Sequence, residues 1–389
     1  MRLLFTFAGG NGHFEPLAPI ARAARQAGHA VVFAAQPAMQ APVEAAGFAM
    51  IPTGGATLGS TPERFPLLKL DLEREDRDLR DGFARRLARE RSAAILAVCA
   101  EWRPDLLVCD EIDFGAMIAA EKLGLPAAKV LVIAAGSFVR PEVVGAALDE
   151  VRAEHGLPAD PDLSMLSRDL VLSPFPPGYR DPAFPLPATA RSLRPITVGP
   201  GDAGRLPPWP GRLDDAPLVY FTLGTVFNVE SGDLFERVLA GLGTQPVNVM
   251  ATVGRQLDPA VFGPQPPNIR IERYIPQAAL LPLCAAVISH GGSGSVIGAL
   301  AHGLPMVLLP MGADQPRNAQ RCADLGVARA LDATEATPEL IGAAIAAVLE
   351  EPGYRRAAEL MRAEIAALPD PEIAVALLER LAGRRPSRP

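Results

Sequence analysis

Lysine is nearly missing from this chain: Lys69, Lys122 and Lys129 are the only three among 37 basic residues. Against 44 acidic residues the formal net charge is −7, so no global basic field exists to hold nucleic acid or an anionic lipid surface. Cysteine is scarce too. Cys99, Cys109, Cys284 and Cys322 are scattered without a C-x-x-C pair, which argues against a disulfide framework or a structural zinc and makes them small core hydrophobes in a reducing compartment. The longest apolar run, around residues 131–136, falls far short of the roughly 18 residues of a membrane span. Residues 1–10 run into Asn11-Gly12-His13-Phe14-Glu15 without a small-residue cleavage site, so they read as a buried strand rather than an export signal, and the expected location is the cytoplasm. Also lacking are a Walker lysine, an H-E-x-x-H pair and a G-x-S-x-G elbow. The two D-x-D strings, Asp76-Arg77-Asp78 and Asp160-Pro161-Asp162, lie in charged or proline-rich segments rather than at a strand end, so no metal site is expected.

What is present is an ordinary globular composition, 49% hydrophobic and 21% charged, over 389 residues, enough for two to three domains. Residues 2–8 form an apolar run, a glycine loop follows, residues 16–26 carry apolar positions at helical spacing up to Gly28-His29, and residues 30–35 are apolar again. That order is a βαβ unit. It recurs as helix 93–102, strand 106–109, helix 114–123 and strand 127–134, which predicts a parallel sheet covered on both faces. Residues 186–217 are dense in proline, glycine and arginine and mark a domain boundary that holds neither a helix nor a central strand. The alternation restarts with strands 218–223, 247–253, 269–273, 286–289 and 306–309 and helices 234–241 and 293–302, a second doubly wound domain. Helices 338–350, 354–368 and 371–382 complete the chain, closing the second domain or crossing back over the first. The expected division is 1–200, a linker at 201–216, 217–368, and a terminal helix and tail at 369–389. The mixed-charge segment 71–91 reads as a solvated helix or mobile lid.

Three places carry chemistry. Gly9-Gly10-Asn11-Gly12-His13 lies between a strand and a helix N-terminus, but Glu15 stands where a dinucleotide fingerprint needs its third glycine, and the second strand ends in Ala35-Gln36 without a ribose-binding acid. NAD and FAD are therefore disfavoured. His13 remains, at the carboxyl end of the first strand, where open α/β sheets bind ligands. Asp110 ends the strand 106–109 on the same rim and can hold the imidazole tautomer, which makes the pair a candidate base; the alternatives are that Asp110 caps the next helix or that Asp113 is the functional acid. In Ser289-His290-Gly291-Gly292-Ser293-Gly294-Ser295, loop amides, a helix dipole, two hydroxyls and an imidazole converge where a diphosphate can sit without metal.

In order and spacing these strings resemble family 1 glycosyltransferases of the GT-B fold, particularly actinobacterial enzymes that attach deoxysugars to antibiotic aglycones. The resemblance spans nearly the whole chain: Gly9–His13 with Pro16-Leu17, Gly28-His29, Asp110, Leu223-Gly224-Thr225, Tyr274-Ile275-Pro276-Gln277, His290–Ser295 sixteen residues after Tyr274, Gly303-Leu304-Pro305, and Asp314-Gln315 followed by Asn318. It implies two Rossmann-like domains facing across a cleft and an inverting, metal-independent transfer without cofactor. His13 would be the acceptor base with Asp110 its partner. Thr225, His290 and Ser295 would hold the diphosphate, Tyr274 would stack on the base, Asp314 and Gln315 would meet donor sugar hydroxyls, and Gln277, Gly291, Gly292, Ser293 and Gly294 would complete the donor site. The family's stacking tryptophan is replaced by Tyr274, and its ribose-binding glutamate by Gly298. Gly298 implies a donor lacking a 2′-hydroxyl, a dTDP-sugar; the alternative is that it lets its helix pack closely on a strand. The acceptor, a small hydrophobic aglycone, would meet Gly12, Phe65, Phe138, Met165 and Phe175 in the first domain. A homodimer is one assembly compatible with this reading. Rival readings are a nonenzymatic relative that binds an aglycone or activates another transferase, and a nucleotide-sugar epimerase or hydrolase.

Overall fold

In the computed structural model, which describes residues 1–54, 64–196, 209, 215–224, 227–254 and 257–383, the short apolar runs become strands of two separate sheets. The chain divides into a first unit, Met1–Leu58, Leu72–Val198 and Leu368–Pro389, and a second, Gly59–Asp71 and Gly199–Ala367.

The first unit contains β1 (Arg2–Thr6), β2 (Ala30–Ala35), β3 (Ala49–Pro52), β4 (Leu106–Asp110), β5 (Ala127–Val130), β6 (Leu170–Ser173) and β7 (Ala190–Ser192). Their order is β3-β2-β1-β4-β5-β6-β7 and every pairing is parallel, with Leu3 opposite Val31 on one side and Leu106 on the other. β4 is buried along its whole length, as a strand covered by helices on both faces must be. Phe33 on β2 packs against Phe5, Phe14 and Phe48 with ring centroids 5.0–5.3 Å apart. The terminal helix Ile373–Ala382 contributes Ala374, Leu378 and Leu381 to this same core.

The second unit contains β8 (Leu218–Thr222), β9 (Asn248–Thr252), β10 (Ile269–Glu272), β11 (Ala286–Ser289), β12 (Met306–Leu308) and β13 (Ala328–Ala330), again all parallel, in the order β10-β9-β8-β11-β12-β13. In each sheet the connections run one way from the first strand and then the other. The reversal falls between β1 and β4 in the first unit and between β8 and β11 in the second. Such switch points open a crevice at the carboxyl ends of the strands, where doubly wound folds take their ligands.

The proline-rich stretch, read as holding neither a helix nor a central strand, agrees with that reading: the strand it adds, β7, lies at a sheet edge. Several sequence expectations are corrected. The predicted strand 127–134 stops at Val130. The glycine loop winds into a helical turn, Asn11–Phe14, before the helix Ala18–Gln26. The charged segment is helical from Leu72 onward but not simply solvated, since Leu79, Ala84 and Arg91 are buried. Apart from Trp209 and residues 215–216, the expected linker lies outside the described residues. No helix among the described residues is long and apolar enough to cross a membrane.

Candidate active site

At the first switch point the helical turn Asn11–Phe14 places His13 beside the end of β4. Phe14 anchors the turn, 5% exposed between Phe7 and Phe33. Backbone at Gly9 lies directly beneath the imidazole: a Cβ there would come within 2.2 Å of His13 Cδ2. Only glycine leaves that space. His13 Nδ1 stands 2.8 Å from Asp110 Oδ2.

Asp110 is wholly buried, and its carboxylate also accepts backbone N–H groups from Ala8 (3.1 Å), Ile112 (3.0 Å) and Asp113 (2.6 Å). So placed, it accepts a hydrogen bond from His13 Nδ1–H and leaves the lone pair on Nε2, the arrangement of a general base. The capping alternative for Asp110 falls. The cap of the helix Phe114–Leu123 is Asp113, which accepts the Ala116 N–H, and Asp113 is fully buried against Arg91 rather than offered to a substrate. Glu111, next in sequence, accepts N–H bonds from Val132 and Ile133 through Oε1; burial pushes its carboxyl up to about 7.

At the second switch point His290 follows the end of β11, and Gly292 caps the helix Ser293–Ala301. The His290 ring is held between glycines: a Cβ on Gly224 would meet Cε1 at 2.6 Å, and one on Gly292 would meet Nε2 at 2.5 Å. Burial pushes the imidazole down to about 4, so in the unligated protein it is neutral at pH 7. Its Nδ1 is buried without a hydrogen-bond partner. Asn228, which the sequence reading did not single out, is the second such residue here. Its Nδ2 donates to the Gly224 carbonyl, while Oδ1 is buried and unpartnered. The signal was available in its spacing, four residues after the Gly224 turn. Thr225, expected on the diphosphate, lies outside the described residues.

Ser293 Oγ donates to Asp314 Oδ2 at 2.6 Å, and Asn318 Nδ2 donates to the Gly291 carbonyl, to Ser293 Oγ and to Asp314 Oδ2 at 2.8–3.1 Å. Gln315 Oε1 accepts the N–H groups of Met311 and Gly312. These side chains tie the loop after β12 to the glycine turn after β11. Gly294 is exposed and Ser295 half-buried at the start of the helix. Tyr274 is 48% exposed, and Gln277 reaches the buried Tyr220 hydroxyl, itself 2.9 Å from Thr252 Oγ1. A Cβ at Gly298 would meet Gln277 Oε1 at 3.3 Å and Leu281 at 3.4 Å. The glycine thus faces the segment of the nucleoside motif, with no strand atom within 4 Å among the described residues.

The expected acceptor residues are divided between the two units. Phe138, Met165 and Phe175 are 8%, 3% and 5% exposed, and the first two belong to the core of the first unit. Phe65 belongs to the second unit. Its N–H donates to the Val229 carbonyl, its carbonyl accepts the Gly232 N–H, and neighbouring Arg64 pairs with Glu236. Gly12 is exposed on the His13 turn.

Two parallel α/β units with these switch-point loops define a GT-B glycosyltransferase architecture, and comparisons agree. Residues 236–381 match the family model described as erythromycin biosynthesis protein CIII-like, C-terminal domain. Over all of both chains the sequence is 30% identical to the 3-alpha-mycarosylerythronolide B desosaminyl transferase of Saccharopolyspora erythraea. The crystal structure of glycosyltransferase VinC in complex with dTDP superposes with a TM-score of 0.75 at 26% identity, covering 99% of this chain and 100% of that one. The spinosyn rhamnosyltransferase SpnG complexed with spinosyn aglycone gives 0.77 at 25% identity, covering 97% and 100%. The chain belongs to the family of deoxysugar glycosyltransferases of antibiotic biosynthesis.

Proposed function

We propose that this enzyme moves a deoxysugar from a dTDP-sugar to a hydroxyl of a hydrophobic natural-product aglycone, by an inverting displacement that uses neither metal nor cofactor. The observation that carries the reading is the 2.8 Å His13–Asp110 pair at the first switch point. His13 Nε2 takes the acceptor proton as the acceptor oxygen bonds to the anomeric carbon. The bond from that carbon to the diphosphate oxygen breaks, and dTDP leaves with the electron pair. Asp110 stabilises the imidazolium formed, a contribution of the order of 10²- to 10⁴-fold for a positioned base. The leaving diphosphate is met by amides at the start of the helix Ser293–Ala301 and by the neutral His290 ring, so charge is neutralised by fixed dipoles. Gly298 supports dTDP over a ribonucleotide donor, as does the dTDP held by the related VinC.

The test runs in reverse. Purified protein is incubated with dTDP and a panel of glycosylated macrolides, and release of aglycone is followed by mass spectrometry. Release that persists in excess EDTA and vanishes in His13→Ala is the expected result. Turnover lost to EDTA and restored by Mg²⁺ or Mn²⁺ would contradict the metal-free cradle, and turnover intact in His13→Ala would remove the base.

A further inference from the structure

Arg91 is, with Arg152, one of the two fully buried arginines among the described residues, and it lies outside every site motif. It projects from the helix Ala88–Trp102. Its Nε and one terminal nitrogen grip both oxygens of Asp113 at 2.8 and 2.6 Å, and the two partners are each 0% exposed. The other terminal nitrogen donates to Thr53 Oγ1 at 2.9 Å, and the first also reaches the Ala34 carbonyl at 3.2 Å. Ala34 lies near the carboxyl end of β2, Thr53 follows β3 and Asp113 follows β4. The Asp113 N–H in turn donates to Asp110 Oδ1 at 2.6 Å, while Asp110 Oδ2 takes the Ala8 N–H beyond β1 and His13 Nδ1. One hydrogen-bonded network therefore spans the carboxyl rim of β3, β2, β1 and β4, four consecutive strands, with His13 at its outer end and Arg91 at its root.

A second feature supports the insertion of this arginine. Gly115, in the capped helix Phe114–Leu123, is crossed by the Arg91 helix so closely that a Cβ would meet the Ala88 carbonyl at 2.5 Å, the Ser92 nitrogen at 2.7 Å and Arg91 Cβ at 2.8 Å. The sequence thus brings the two helices to backbone contact where the guanidinium enters. Burial works against the charge of Arg91, but Asp113, with Asp110 and Cys109 behind it, outweighs that and keeps it protonated.

We propose that Arg91 is a positioning residue: by fixing Asp113, it sets the turn that aims the Asp110 carboxylate at His13. The inference rests on the reading of His13 as the base, and it assigns that base a support reaching back to the charged helical segment. Because Arg91 touches neither reacting atom, its loss should lower turnover while nucleotide binding stays as it was. Loss of the cation alone also leaves Asp113 as an uncompensated negative charge near the pair, which favours the protonated imidazole.

Two variants separate charge from geometry. Arg91→Met removes the cation; Arg91→Met with Asp113→Asn removes both charges yet keeps a residue able to cap the helix. Each is compared with wild type by reverse turnover on dTDP and the glycosylated macrolides, by calorimetry with dTDP, and by the downfield NMR signal of the His13 Nδ1 proton, assigned with His13→Ala. In the double variant kcat should fall at least about tenfold, with dTDP affinity within about twofold and the Nδ1 proton signal lost to exchange. In the single variant the acid limb of the pH–rate profile should move up by about half a unit or more and return in the double variant. A folded double variant with wild-type kcat and an intact Nδ1 signal overturns the proposal, as does an unmoved acid limb in the single variant. Should His13→Ala itself turn over normally, the base reading fails instead, whatever Arg91 does.

Discussion

His290 and Glu111 show how burial writes opposite pH dependences into one chain. Burial lowers the imidazole to about 4 from its ordinary value of 6.5, so between those limits the unfolded chain binds more protons than the folded one, and stability rises with pH. Glu111 is raised to about 7 from 4.5, so over that window the folded chain holds the extra proton and stability falls as pH rises. The two slopes oppose each other from about 4.5 to 6.5. Replacing His290 by Asn should unmask the Glu111 term, so that unligated protein is relatively more stable at pH 5 than wild type by an amount on the order of 3 kcal/mol or less. Urea unfolding of both proteins at pH 5 and pH 7 reads this directly. An unchanged difference between the two pH values would mean that His290 is not buried as described. None of this was legible in the sequence, which marked His290 as a ligand-site residue by its glycine neighbours but held no sign that the ring is neutral. Arg91 was missed because its partners, Asp113 and Thr53, are defined only once the strands have set the loops beside one another, whereas Asn228 lies only four residues from its partner Gly224.

At the scale of elements, the strongly periodic segments were legible. Helices Phe114–Leu123 and Pro338–Glu350 and strand Ala286–Ser289 have the predicted bounds, since apolar spacing and punctuation agree there. What escaped were short edge pieces such as β7 and β13, whose three residues carry too little pattern, and the turn Asn11–Phe14, where Gly9, Gly10 and Gly12 suggested a loop. That turn is the element on which catalysis is proposed to depend. Its helical form lifts His13 over the Gly9 backbone and drives Phe14 into the aromatic cluster, so position 9 tolerates no side chain without moving the imidazole. Gly9→Ala is therefore expected to lower reverse turnover at least about a hundredfold, in the range of removing a general base, and to leave calorimetric dTDP affinity unchanged. Comparable turnover in a folded Gly9→Ala protein would show that the ring can be displaced without consequence.

For the whole molecule, the sequence order of motifs translates into a proposed division of labour: the proposed base, His13, stands at the switch point of one sheet and the proposed diphosphate cradle, after His290, at that of the other. Their assignment to different units makes nucleotide binding separable from chemistry, and ligand-linked stability exposes that separation. A nucleotide that binds only the folded protein stabilises it by about 2.7 kcal/mol at one hundred times its Kd, whichever unit holds it. His13→Ala should show the same dTDP-induced rise in melting temperature as wild type, because the lost imidazole is no part of the cradle. Gly298→Glu should behave differently. Its Cβ would sit 3.3 Å from Gln277 Oε1 and 3.4 Å from Leu281, so the new carboxylate enters the space beside the nucleoside motif rather than solvent. With dTDP it would be partly desolvated and unpaired, costing roughly 1–3 kcal/mol, or about five- to a hundredfold in affinity. With UDP the 2′-hydroxyl gives it a partner. The dTDP shift should therefore shrink more than the UDP shift, and since both nucleotides share the diphosphate, their ratio isolates the sugar and base. If wild type already prefers UDP, or if Gly298→Glu leaves the ratio unchanged in a folded protein, Gly298 is a packing residue and the deoxyribonucleotide donor loses its sequence support.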